Sequence, residues 1–310
     1  MTEYPSAEHP SGIKAKVIAH STSIETQLVT FELEYPRFIH SEFMTHRMLS
    51  KNSASSRAIP IATMHDHILR NPQRPVHWGK NQPGMSAKEE VEAYTRDAAI
   101  LVWDAAMTQA ISHARVLSDM GLHKQVANRL TEPFMQMKVV CSGTEWTNFF
   151  HLRNHEDADP TIHALAKTMW EALDQSLPLY LKPGEWHLPY IDAKPDENQS
   201  IRYYVNEQEI DLETAKMISA SCCAQVSYRK EDTSVDKAKM IFDKLINSKP
   251  VHASPVEHQA TPMDFDGYCA YDPESWQEGT THCSRNGDRW SGNFRNWIQH
   301  RQLIKDHVVW

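Results

Sequence analysis

The stretch of this sequence richest in chemistry is His46-Arg47-x-x-Ser50-x-Asn52-x-x-Ser55-x-Arg57. Guanidinium groups fork onto phosphate oxygens, and serine hydroxyls with the freed N–H groups of a turn fill the oxygens that remain. The pattern therefore reads as an anion cradle for a nucleotide phosphate, although a solvated Ser/Arg surface turn has the same composition. In Trp146-Thr-Asn148-Phe149-Phe150-x-Leu152-Arg153 the aromatic residues and Leu152 read as core. Asn148 and Arg153 are the polar members that packing does not explain. Around His252-Ala-Ser254-Pro255-Val256-Glu257-His258 a proline turn needs hydrogen-bonding caps, so a structural role stands beside a binding one. His151 and His155 have the i,i+4 spacing of metal ligands, but no HExxH context or third carboxylate accompanies them, and no metal is expected.

These residues need elements to hold them. Residues 28–35 alternate apolar and polar side chains, a half-buried strand, and Pro36 sits where a helix over 37–49 begins. Residues 50–61 are rich in Ser and Asn and read as a loop. Ser86-Ala-Lys-Glu89 is a capping box opening a helix to about Met120, with Val91, Tyr94, Ala98, Leu101 and Val102 on one face. A helical piece over 124–134, a strand over 137–143 and helices over 144–153 and 161–177 follow. Residues 178–208 read as a polar, proline-containing connector, 212–223 and 235–246 as helices, 264–292 as an excursion or lid, and 293–305 as a terminal helix. Phe43-Met-Thr-His46-Arg47-Met-Leu49 and Trp297-Ile-Gln-His300-Arg301-Gln-Leu303 share one pattern, each at the end of an expected helix, which suggests a partial duplication.

At 310 residues, 40% hydrophobic and 23% charged, the chain has the composition of a soluble globular protein. No apolar run reaches the ~20 residues that span a bilayer, and the opening MTEYPSAEHPSGIK has neither a basic n-region nor an apolar h-region. The expected location is cytoplasmic, with no membrane partner. Five cysteines without a CxxC suit a reducing compartment, and a net charge of −8 argues against a general nucleic-acid binder.

The His46 to Arg57 segment resembles the signature of the flavin-dependent thymidylate synthase (ThyX) family, RHRxxSxNExSxRY, matching at His46, Arg47, Ser50, Asn52, Ser55 and Arg57. It departs at Thr45, Ser53 and Ala58, where the family has Arg, Glu and Tyr. Asn128-Arg129-Leu-Thr-Glu-Pro133 is similar to the family region supplying a phosphate-binding Arg. The Trp146 to Arg153 stretch resembles the helix carrying a flavin-contacting Asn and a pyrimidine-contacting Arg. Ala224-Gln-Val226-Ser227-Tyr228 and the His252 to His258 segment resemble flavin-side motifs that in the family precede the His-Arg motif, whereas here they follow it. A circular permutation keeps every contact if the old termini lie close together.

The resemblance implies an α+β fold, helices on a mainly antiparallel sheet, in two pseudo-halves of permuted order. Residues 14–177 form the nucleotide- and flavin-binding half, 178–211 a connector and 212–310 the second half. It implies reductive C5 methylation of dUMP to dTMP with methylenetetrahydrofolate, reduced FAD and NADPH, in a homo-oligomer, a tetramer or pseudo-tetramer. Ser55 and Arg153 carry the catalytic roles; Glu42, Ser53, Ala54, Ser55, Arg57, Arg129 and Arg153 bind substrate. His46, Arg47, Met48, Asn148, Ser227, His252, Ser254 and Glu257 line the flavin. None of the five cysteines has the Pro-Cys-His setting of the cysteine-dependent route to the same product, which favours the flavin one. Methylation or hydroxymethylation of another pyrimidine nucleotide, a non-catalytic nucleotide or flavin binder, and a His-rich metal protein (18 His) are the alternatives.

Overall fold

The computed structural model describes residues 4–24, 26–84, 87–227, 232–266, 269 and 272–308. Three strands open the chain, β1 (Ser6–Glu8), β2 (Lys14–Thr22) and β3 (Gln27–Pro36). A 3-10 turn, Arg37–Ile39, leads into α1 (His40–Met44), and β4 (Ser50–Ser53) follows. Three helices come next, α2 (Ile61–Arg70), α3 (Ala93–Asp119) and α4 (Lys124–Ala127), the last running into a 3-10 segment, Asn128–Phe134. After β5 (Gln136–Gly143) come α5 (Thr147–Arg153) and α6 (Pro160–Asp174). The remainder holds β6 (Leu179–Tyr180), β7 (Asp192–Pro195), β8 (Ile201–Val205), β9 (Gln208–Ile210), α7 (Leu212–Ala224) and α8 (Val235–Leu245). It ends in β10 (Ala260–Pro262), β11 (His282–Cys283), β12 (Arg289–Ser291), β13 (Phe294–Arg295), β14 (Trp297–Gln299) and a 3-10 turn, His300–Leu303.

One six-stranded sheet organises the molecule in the order β1-β2-β3-β5-β4, antiparallel throughout except where β6 joins β2 in parallel. In β3, Phe31, Leu33 and Tyr35 point into a core shared with Phe43 of α1, Phe149 and Phe150 of α5, and Ile162, Leu165 and Met169 of α6. Asp159 starts α6 by accepting from the N–H groups of Thr161 (2.9 Å) and Ile162 (3.2 Å), with Pro160 in the first turn, where its missing N–H costs nothing. The opposite sheet face is covered by the second half of the chain. Leu28 packs with Leu181, Phe294 and Trp297, and Ile18 and Val140 pack with Cys223 and Val226. The mixed α+β class thus stands, with eight α-helices among the described residues. None of these helices is long and apolar enough to cross a membrane. None of the five cysteines is in a disulfide.

Several expectations are corrected. The helix over 37–49 ends at Met44, because the Thr45 N–H (3.0 Å) and hydroxyl (2.7 Å) both turn back onto the Glu42 carbonyl; His46 and Arg47 lie in the turn beyond. Residues 50–53 are a strand rather than loop, since Ser50 and Asn52, poor strand formers, find buried partners there. Ser86 of the capping box lies outside the described residues. The long helix begins at Ala93 because Glu90 holds the preceding backbone extended, accepting from the Trp78 N–H at 3.0 Å. Its expected apolar face is exposed at Tyr94, Leu101 and Val102, and the helix buries Met107, Ile111 and Ala114 instead. Leu152, read as core, is also exposed.

The 178–208 stretch is more than a connector: Trp186, Leu188, Ile191 and Tyr203 form a core with α7, and β7-β8-β9 make a sheet. Residues 264–292 include the β11-β12 hairpin. The terminal helix is replaced by β13, β14 and a 3-10 turn, because Phe294 and Trp297 are drawn under Leu28 and β14 pairs with β10. The two His-Arg copies consequently differ in conformation, and the strand-helix duplication is not present.

Candidate functional site

Strand β4 divides the site residues into two groups. Four residues at ~3.3 Å each make it about 13 Å long. At its start, the α5 C-terminus delivers Arg153 to the turn after α1. Arg153 Nε donates to His46 Nε2 at 2.9 Å, and Nη1 is paired with Glu42. The His46 ring stands edge-on to Phe149 at 5.0 Å. Burial, then the Arg153 and Lys51 charges, pushes His46 down to about 4, so at neutral pH it is the uncharged acceptor that Arg153 requires. Held on two edges, Arg153 makes no hydrogen bond through Nη2 among the described residues. Glu42, expected to touch substrate, is paired with this arginine.

Beside that turn lies a cleft of about 390 Å³ lined by Arg47, Ser50, Lys51, Glu257, Asn293, Gln299 and Arg301, among others. Arg47 is exposed and has no side-chain partner among the described residues. Lys51 Nζ donates to the His46 and Leu49 carbonyls, and burial lowers its pKa. Gln299 Nε2 ties the floor together, its two N–H groups shared among Ser50 Oγ (3.2 Å), the Glu257 carbonyl (2.9 Å) and Asn293 Oδ1 (3.1 Å). The wall is glycine at 292 for two reasons: φ is +60°, and a Cβ would come within 2.6 Å of Gln299 Oε1. Glu257 is paired with Arg301; burial raises its carboxyl pKa against the pull of that arginine.

Behind the cleft a buried hydrogen-bonded row crosses the sheet. Ser21 Oγ contacts His187 Nδ1 (2.8 Å), His187 Nε2 contacts Thr30 Oγ1 (2.8 Å), Thr30 contacts Ser142 Oγ (2.7 Å), and Ser142 contacts His258 Nδ1 (2.9 Å). Burial pushes His187 and His258 down to about 3, so both are neutral and serve as fasteners. The row fixes the Glu257-His258 segment to β5, and the Asn52 side chain reaches the Cys223 carbonyl at 3.3 Å, fixing β4 to α7.

The other end of β4 opens into the 54–60 loop. The Ser55 N–H donates to Ser227 Oγ at 2.9 Å across 172 positions of sequence. Ser55 Oγ accepts from the Arg57 N–H at 3.3 Å, and Asn128 Nδ2 donates to the Ser56 (2.9 Å) and Ile59 (3.1 Å) carbonyls, shaping the loop from behind. The Arg57 side chain is exposed without a partner among the described residues, and Arg129 pairs with Glu132 at 3.0 Å. Ala54 and Ser227 line a cavity of about 470 Å³ with Glu34, His67, Arg70 and Lys138.

The expected residues are therefore partly gathered. Glu42, His46 and Arg153 meet at one end, Arg47 and Glu257 share the cleft, and Ser55 and Ser227 touch at the other end. Ser53 sits on β4 opposite Val139, and the Met48 carbonyl accepts from Asn293 Nδ2 at 3.1 Å. Asn148, His252 and Ser254 are exposed and outside the lining of either hollow, and Tyr228 lies outside the described residues. Sequence reading missed Lys51, Asn293 and Gln299 as lining, and did not assign Arg301, whose one signal was the repeated His-Arg pattern. No group of His, Cys, Asp and Glu suited to a metal occurs among the described residues.

An antiparallel sheet carries a serine- and arginine-lined loop at one end of β4 and a cleft with three cationic side chains at the other, in a mixed α+β protein. Residues 13–179 match the family described as thymidylate synthase complementing protein, more than half of the chain, and the chain belongs to that family. The match includes the His46 to Arg57 segment and Arg153 but stops before Ser227, Glu257 and Arg301. No curated protein matches. Among solved structures, the chain is similar to a UMP/dUMP methylase, PolB, from Streptomyces cacaoi. The form bound with 5-Br UMP shares 15% identity, covering 56% of this chain and 92% of that one at a TM-score of 0.45. The form bound with 5-Br dUMP shares 16% identity, covering 56% and 93% at 0.46.

Proposed function

We propose that this chain is a flavin-dependent pyrimidine nucleotide C5 methylase, acting on dUMP with methylenetetrahydrofolate as carbon donor and NADPH as the source of electrons. The observation that carries the reading is the meeting of Arg47, inside the family-matched segment, with Glu257, far outside it, along one cleft. This is the juxtaposition a permuted motif order requires.

The cleft suits the phosphate portion of FAD. It holds three cationic side chains against one carboxylate, and Arg301 Nε is buried there without a hydrogen-bond partner among the described residues. Bound flavin supplies the hydride; the chain's own residues supply position and charge. Arg47 and Glu257 line the cleft it would enter, with His46 and Met48 in the turn beside them; Asn148, Ser227, His252 and Ser254 lie outside that lining and would reach the flavin only from another copy of the chain. Arg57 and Arg129 hold the nucleotide phosphate, with Ser53, Ala54 and Ser55 along the strand that leads to it. Arg153, locked by Glu42 and His46, offers Nη2 to the base carbonyl, where negative charge would develop on addition at C6 and make C5 the nucleophile. The two groups lie at opposite ends of β4, and a homo-oligomer, tetramer or pseudo-tetramer, would let one copy complete another's site.

The departures at Thr45, Ser53 and Ala58 favour a second reading within the same chemistry, in which UMP or another pyrimidine nucleotide is methylated or hydroxymethylated. Tritium release from 5-tritiated dUMP and UMP, with methylenetetrahydrofolate, FAD and NADPH, tests both. Release from dUMP above UMP is expected. Release from neither, in protein that binds FAD, would leave a nucleotide- and flavin-binding protein without this activity.

A further inference from the structure

We propose that the hollow of about 470 Å³ at the far end of β4 is a second binding site, in which the Glu34 carboxylate takes a heterocycle by an amino-amidine edge. That edge, an exocyclic amine beside a ring N–H, is shared by pterins and guanine. The pterin of the carbon donor as its source rests on the methylase reading; a guanine nucleotide as its source does not.

Glu34 stands in β3 between two lysines in register, Lys14 of β2 on one side and Lys138 of β5 on the other. Residues directly opposite one another in an antiparallel pair share a face, so both ammonium groups are within reach of the carboxylate. Neither pairs with it. Lys14 turns to Glu8 at 3.3 Å, and Lys138 reaches diagonally to Glu32 at 2.9 Å, where the Tyr190 hydroxyl also donates at 2.8 Å. Glu34 is half-buried, lines the hollow and makes no hydrogen bond or ion pair among the described residues. An acceptor partly shielded from water and left without donors is matched to a ligand that brings N–H groups.

The rest of the lining selects the kind of ligand. Ile59, Met64 and Val226 supply apolar surface from the loop after β4, from α2 and from the segment after α7, which suits the flat faces of a ring. Asn71 and Gln136 supply amides beside it, and no hydrogen bond to the Asn71 side chain or to Gln136 Oε1 occurs among the described residues. The lysines flanking Glu34 oppose a cationic ligand, which leaves a neutral ring.

A carboxylate only accepts, through two oxygens, and so matches two parallel N–H groups. Guanine and pterin present that pair. Adenine and cytosine set a ring lone pair beside their amine, and uracil sets carbonyls on both sides of its one N–H, so each turns an acceptor towards the carboxylate. The hollow therefore discriminates against the uracil base proposed for the nucleotide site. It adjoins that site through Ala54, next in the chain to Ser55. Its volume lies within the roughly 300–1,000 Å³ range of small-ligand sites.

The test uses the full chain in isothermal titrations with folate and guanosine, each beside an analogue lacking the 2-amino group, 2-desamino-2-methylfolate and inosine. Glu34→Gln keeps the side-chain volume but puts an amide N–H where an acceptor stood. Binding of the amino-bearing ligand should fall by about tenfold to a hundredfold in that variant, with dUMP affinity and melting temperature unchanged. The parent should prefer each amino-bearing ligand over its analogue by about tenfold, and the gap should close in Glu34→Gln. A gap that survives the substitution, or a parent that takes neither folate nor guanosine below about 1 mM, overturns the proposal. Glu34-dependent binding of folate alone assigns the carbon donor to the hollow; Glu34-dependent binding of guanosine alone assigns a guanine nucleotide. Glu34-dependent binding in a chain that releases no tritium from dUMP or UMP sustains the hollow and sinks the methylase reading. Tritium release by the parent, with folate and guanosine binding both indifferent to Glu34, does the reverse.

Discussion

At the start of β4 Arg153 is held by two protein partners, and at its end Arg57 is held by none among the described residues. Arg153, Glu42 and His46 lock together over an aromatic floor, whereas Arg57 is exposed without a partner and Arg129 holds only a solvent-facing pair with Glu132. The first arrangement pays its ordering cost during folding, and the second leaves that cost to the ligand. The contrast suits the proposed site, in which developing charge would meet donors already held in place while a phosphate would be captured by exposed ones.

The largest effect is expected from breaking the locked end. Arg153→Ala strands the Glu42 carboxylate and removes the donor to His46, so stability should fall by about 1–3 kcal/mol, the cost of unpairing partly buried polar groups. Turnover at saturating nucleotide should fall by roughly 10²–10³, the loss seen when a preorganised donor to developing charge is removed. Arg153→Lys should rescue little of either. Calorimetric melting beside tritium release checks both, and turnover like the parent's would take Arg153 out of the site.

At the open end, Arg57→Ala should weaken nucleotide binding by about 1.5–3 kcal/mol, tenfold to more than a hundredfold, with the melting temperature unchanged. Isothermal titration with dUMP measures it. A drop in melting temperature with intact affinity would invert the comparison.

The smallest effect is the share of the acid response that His46 carries. His46 titrates at about 4 when folded against 6.5 when exposed, so the unfolded chain binds more protons between those values. The stability His46 contributes is complete above about 6.5 and is lost as pH falls towards 4. His46→Gln keeps an acceptor for Arg153 but cannot titrate, and should show a shallower decline in melting temperature between those pH values. An identical slope would mean that His46 is not shielded as described.

The sequence made the local elements legible where periodicity and caps agreed: β3, β5, α6, α7 and α8 lie close to their expected places. It failed where polar residues are satisfied by distant partners. Ser50 and Asn52 read as loop because Asn293, Gln299 and the Cys223 carbonyl are remote in sequence. The terminal segment has helical spacing, yet Phe294 and Trp297 find the Leu28 side of the sheet and turn it into strands. Of the expected site, His46, Arg47 and Ser55 could be proposed together because they are near one another in sequence, but β4 holds them at opposite ends. The Glu42 bond to Arg153 could not be, since nothing in the sequence says that the α1 and α5 ends converge.

The buried row from Ser21 to His258 has a consequence for the timing of synthesis. Ser21, Thr30 and Ser142 leave the ribosome long before His258, and the apolar surface of Leu28 waits for Phe294 and Trp297. About 120 residues separate position 179 from Trp297, a delay of roughly 6–24 s at ~5–20 residues per second. Through that interval the Leu28 side of the sheet lacks Phe294 and Trp297, so its apolar surface is closed only when the last segment of the chain arrives.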